Sequence, residues 1–137
     1  GKIRGFPREV KWFIQRGRRG WADCDVWGLD YYLAGWLPDA LRHLEDTTIG
    51  APFGFFPPWD EWQAKPKKER EAISTAGHQK WHETLMEIVQ GFEAANSILN
   101  DECFKDGKWD KKQQRALYRA FDRGMKLFTK YFFGLWD

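Results

Sequence analysis

Apolar residues recur at three-and-four spacing along most of this 137-residue chain, and no stretch alternates at period two. The longest well-patterned segment is 20–44, where Val26, Leu29, Leu33, Trp36, Leu37, Ala40, Leu41 and Leu44 draw one stripe. That spacing makes a helix face and fits no strand. Asp23 stands where an N-cap belongs, and Asp25 falls in the first turn, where a carboxylate suits the positive end of the helix dipole. Gly28, Gly35 and Pro38 interrupt the stripe. An interior proline removes an amide donor and crowds the carbonyl four residues back, at a cost of roughly 3 kcal/mol. The second helix is therefore expected to be kinked near Pro38, or broken around residues 35–37.

The flanking segments complete the pattern. Residues 1–6 read as an extended basic arm. Pro7 opens a short first helix with Val10, Phe13 and Ile14 on its stripe and Trp12 on a flank. Arg16-Gly17-Arg18-Arg19-Gly20 ends it, the glycines suiting a cap and the arginines the negative end of the dipole. Past residue 46, Pro52, Pro57 and Pro58 forbid a long helix, while Phe53, Phe55, Phe56 and Trp59 are too apolar for a free linker. Residues 47–66 are predicted to form a long ordered aromatic loop, a lid or a dimer contact, with one helical turn at Trp59–Gln63.

A third helix is expected over 76–100, or from about Lys67, carrying Trp81, Leu85, Ile88, Val89, Phe92, Ala95 and Leu99. A fourth is expected over 109–136, with Leu117, Phe121, Met125, Phe128, Phe132 and Leu135 inward and Ala120 and Gly124 allowing close approach. The expected fold is all-α: a single bundle-like domain of four main helices.

Composition adds two points. Nine tryptophans and eleven phenylalanines exceed what one small core usually needs, so some are expected at an oligomer interface or against a flat ligand. Net charge is only +2, but residues 1–21 hold seven Lys and Arg against Glu9, a local +6 that leaves −4 for the remainder. A basic segment on an acidic body suits a polyanion, a phosphorylated ligand or an acidic partner surface. Cys24 and Cys103 lack any paired spacing, so neither a disulfide framework nor a zinc motif is expected. No signal peptide and no apolar run of membrane-spanning length is read, which points to a soluble protein of a reducing cytoplasm with no membrane partner.

The most suggestive chemistry lies where Trp12, Trp21 and Trp27 interleave with Arg16, Arg18 and Arg19. An indole can stack on a base while an arginine holds a phosphate, so Arg16, Arg18, Arg19, Trp21 and Trp27 are the candidate anion site. The competing reading has Arg18 or Arg19 paired with Asp23, Asp25 or Asp30, locking the joint between the first two helices. His78 and His82 stand four apart, on one helix face, with Glu83 and Glu87 close by. Two imidazoles at that spacing are half of a metal site, yet HQKWHE is not HExxH and the ExxH repetition of di-iron bundles is missing. A solvated or hydrogen-bonded pair is the expectation. His43, near a helix end, suits the dipole. No GxSxG, Walker or GxGxxG string occurs, so neither catalysis nor a cofactor is expected.

Three strings in order, RGRRGWADCDVWGLDYYLAGWLPDALRHL, then Trp81 with residues 88–92, then FDRGMKLFTKYFFGLWD, cover more than half of the chain. In these it resembles a widespread group of small proteins encoded by tailed bacteriophages. The resemblance implies work in the host cytoplasm or on the virion. It carries no settled activity, but such small phage proteins include inhibitors that sequester nucleotide signals between identical subunits, nucleic-acid binders and virion decorations. The leading expectation is a non-enzymatic, homo-oligomeric accessory protein that binds a nucleotide-like or nucleic-acid anion, as in counter-defence. The alternatives are a structural or partner-binding protein, a host defence protein among the partners, and a metal-dependent enzyme built on His78 and His82.

Overall fold

The computed structural model describes residues 7–136; the arm expected over 1–6 lies outside them. The described chain is all-α apart from one small hairpin. Helix α1 (Arg8–Arg19) leads through a 3-10 turn (Asp23–Val26) to α2 (Leu29–Thr47). An irregular stretch holding a second 3-10 turn (Phe53–Phe55) and the short α3 (Trp59–Gln63) reaches the 33-residue α4 (Lys67–Leu99). Strands β1 (Phe104–Lys105) and β2 (Lys108–Trp109) precede α5 (Lys111–Tyr131), and a last 3-10 turn spans Phe132–Gly134.

The organising element is α4 rather than the segment that holds α2. At 1.5 Å per residue it is about 50 Å long, and it packs against α2 on one side and α5 on another. Gly77, Trp81, Leu85, Ile88, Val89, Gly91, Phe92 and Ala94 are all buried, too broad a band for one neighbour. Ile88, Val89 and Phe92 meet Leu41 of α2, with Leu37, Met125, Leu127, Phe128 and Leu135 packed around them. Where α4 crosses α5 the backbones nearly touch. A Cβ added at Gly91 would lie 2.8 Å from the Gly124 Cα, and one added at Gly124 would lie 2.7 Å from the Gly91 Cα.

Three expectations are corrected. Asp23 does not cap a long helix: it begins the 3-10 turn, and Gly28 (φ −145°, ψ 72°) separates that turn from α2. Helix α2 is not divided in two, for Leu29–Thr47 runs through a buried Pro38. Packing of Leu37 and Leu41 on α4 holds the two turns together across the missing amide. The hairpin was not anticipated, because a two-residue strand has no period to read. Its signal was the Asp106-Gly107 pair, both at positive φ (53° and 75°), as a tight hairpin turn requires. The helical turn at Trp59–Gln63 agrees with the sequence reading, and α4 begins at Lys67, the earlier of the two starts expected, rather than at residue 76. Ahead of α3, Phe55 packs 5.3 Å from the Trp81 ring and 5.1 Å from the Tyr131 ring, centroid to centroid, so this stretch crosses α4 and α5.

Two glycine substitutions should move stability in opposite directions. Gly124→Ala forces backbones apart and is expected to cost about 1–3 kcal/mol, the usual penalty of overpacking. Gly35→Ala, inside α2 with open space around it, should add about 0.5–1 kcal/mol through helix propensity. Urea unfolding followed by circular dichroism measures both.

Candidate functional site

Two places carry the chemistry read from the sequence. The first is the joint between α1 and the Asp23–Val26 turn. Gly20, at φ 88°, caps α1 by donating its amide to the Arg16 carbonyl, and so reverses the chain onto that turn. Gln15 and Asp23 then bond reciprocally. The Gln15 amide donates to the Asp23 carboxylate at 2.8 Å, and the Asp23 backbone amide donates to Gln15 Oε1 at 2.9 Å. Arg16 grips Asp25 with two bonds, Nε to Oδ2 at 3.0 Å and Nη2 to Oδ1 at 2.6 Å. The Asp25 side chain is 4% exposed, and the Ala22 amide also donates to it at 2.7 Å. Arg19 donates to Asp23 Oδ1 at 2.6 Å, reaches the Trp21 carbonyl at 2.9 Å and lies 3.7 Å over the Trp21 ring.

The electrostatics follow from these bonds. The bidentate Arg16 contact, with the Ala22 amide, holds the Asp25 carboxyl below the ordinary carboxylate range, and burial only partly opposes it. Gln15 first, then Arg19, lower that of Asp23. Asp25 in turn raises Arg16.

Of the five residues read as an anion site, the structure therefore commits Arg16 and Arg19 to carboxylates and Trp21 to Arg19. Trp27 makes an edge contact with Trp12 at 5.7 Å and stays 71% exposed. Arg18 has no ion-pair partner among the described residues. The locking geometry is thus present for two of the three arginines, with Arg16 rather than Arg18 as the main bolt. Gln15 was missed: an uncharged side chain that bonds eight residues onward leaves no periodic trace.

The second place is a cleft of about 520 Å³ bordered by Glu45, Thr48, Ser74, His78, Gln79 and His82. His78 Nδ1 lies 2.6 Å from the Ser74 carbonyl, and His82 Nδ1 bonds the Glu45 carboxylate. Among the described residues no group of three or more His, Cys, Asp or Glu is placed to hold a metal ion. Glu45, 37 residues before His82, could not be paired with it from sequence. A second cleft, about 350 Å³ and almost wholly apolar, opens between α2, α4 and α5, with Leu33, Phe92, Leu99, Phe121 and Met125 as walls and Asp30 also lining it.

Comparison with protein-family models, with curated proteins and with solved structures finds no match to this chain. Among the described residues no helix is long and apolar enough to cross a membrane.

The Arg16–Asp25 bond predicts a pH signature. A carboxylate whose folded pKa is depressed stabilises fully above its unfolded pKa, about 3.9, and that contribution is lost as pH falls from there through the lower folded value. Asp25→Asn should therefore be less stable than the parent at neutral pH, with the gap closing below about pH 4. Arg18→Ala should leave the unfolding midpoint unchanged at every pH. Urea midpoints from pH 7 down to pH 2 test both.

Proposed function

We propose that this chain is a non-enzymatic phage accessory protein that works by docking, with α1 as its docking helix and a second copy of the chain as its partner. The observation that carries this reading is the way α1 is mounted. Trp12, Gln15, Arg16 and Arg19 share one side of the helix, and that side makes the bonds to the turn and to Trp21 and Trp27. Val10, Phe13 and Ile14 fall on nearly the opposite side, and all three are exposed, Phe13 at 76%. No residue of α1 is buried. The polar side of this helix faces the body and its apolar stripe faces outward, the reverse of what folding alone favours. An amphipathic helix held in that attitude suits recognition in a groove.

Charge favours a second copy as the occupant. The +6 of residues 1–21 opposes the −4 of the remainder, so α1 is repelled by another α1 and attracted by another body. The apolar cleft between α2, α4 and α5 offers room for one or two large side chains, and Asp30 also lines it. Phe13 and Ile14 of one copy entering that cleft of another, reciprocally, give a closed pair.

Phe13→Asp is expected to convert a dimer to a monomer in sedimentation velocity with helicity unchanged, since Phe13 has nothing to lose in the monomer. Tyr118→Asp, at the cleft, should do the same from the other side. A monomeric parent at high micromolar concentration, or a dimer indifferent to both changes, would refute self-docking. A second reading keeps a nucleotide-like anion at Arg18 and Trp27, favoured by the free guanidinium and the exposed indole. It requires nucleotide or oligonucleotide binding that Arg18→Ala abolishes.

A further inference from the structure

We propose that His78 and His82 are the two protein ligands of an open transition-metal site in the cleft between the end of α2 and α4. A carbonyl oxygen and a carboxylate only accept, so in both rings Nδ1 carries the proton and donates it, to the Ser74 carbonyl in one and to Glu45 in the other. Nε2 is then the nitrogen with a free lone pair in each neutral ring. Metal-binding histidines characteristically have this arrangement, with the second nitrogen donating to a carboxylate or a backbone carbonyl, which fixes the tautomer and raises ligand basicity. The four-residue separation puts the two imidazoles on one helix face, the spacing at which a helix chelates zinc. Both rings border the same cleft of about 520 Å³, so an ion held there has space for further ligands.

The two histidines have different supports. His78 is oriented within α4 alone, by the carbonyl four residues before it. His82 is oriented from α2, because Glu45 belongs to that helix. Glu45 also lines the cleft, and with Oε1 engaged by His82 it serves as a positioning residue. The remaining coordination positions fall to water, to a small anion or to a donor from a bound partner. The chemical class of ion follows from the donors. Imidazole nitrogens select Zn²⁺, Ni²⁺ and Cu²⁺ over Mg²⁺ and Ca²⁺, which take oxygen.

Zn²⁺ competition against a chromophoric chelator, on the full chain in a buffer that does not bind metal, tests the site. One Zn²⁺ per chain is expected. His78→Ala and His82→Ala should each weaken binding more than about tenfold, and Glu45→Ala by about 10–100-fold, the usual loss when a supporting partner is removed. His43→Ala, which removes an exposed histidine outside the cleft, should bind as the parent does. Circular dichroism confirms that each variant folds, and His78, being exposed, can be replaced without disturbing the core. Parent affinity no tighter than that of the His78→Ala/His82→Ala double variant would overturn the proposal. Equal loss in His43→Ala would overturn it too, as would an unchanged Glu45→Ala, because the tautomer argument requires an acceptor at that position.

Discussion

Everything in the body depends on one helix being shared. Helix α4 buries side chains toward α2 and toward α5 at once, and both neighbours pack on the one cluster of Ile88, Val89 and Phe92. The constraint that makes this possible is the approach at Gly91 and Gly124, where a side chain on either residue would collide with the backbone of the other. Close approach lets Phe92 and Phe128 meet edge to face with centroids 5.3 Å apart, a favoured aromatic geometry. It also brings the C-terminal 3-10 turn of the chain back toward Trp81 and Pro52, so the aromatic loop is pinned between two elements.

The helical face of α4 was legible because its apolar residues hold their spacing from Trp81 to Leu99. What the sequence could not show was rank. Segment 20–44 has the more regular stripe, yet the helix with two neighbours is α4, since a residue that serves two interfaces looks in sequence like one that serves a single broad one. The N-terminal misreading has the same kind of cause. Asp23 looks like a cap because capping is local, whereas its partners are Gln15 and Arg19 on the preceding helix; Asp25 keeps its first-turn bond to the Ala22 amide and adds Arg16. Local rules see the carboxylate and its position, and the competing ion pair enters only once the chain has turned at Gly20.

The basic joint shows how one set of residues supports two functional readings until geometry separates them. Interleaved arginine and tryptophan describe a nucleotide pocket and a cation–π lock equally well in sequence. In the folded chain Arg19 lies on Trp21 and reaches Asp23, and Arg16 is closed onto a buried carboxylate. These bonds turn the charge of Arg16 and Arg19 into orientation. The first helix is aimed by them, and its aim determines which of its faces meets solvent.

That mounting makes α1 a separate unit of stability. Its helicity rests on a polar latch rather than on a core, so its amides should exchange by local opening well below the free energy that melts α2, α4 and α5 together. A ligand of α1 would therefore announce itself as slowed exchange in twelve residues, while the global melting temperature barely moved. The first helix is thus ordered and weakly held, and its opening is energetically separate from that of the body.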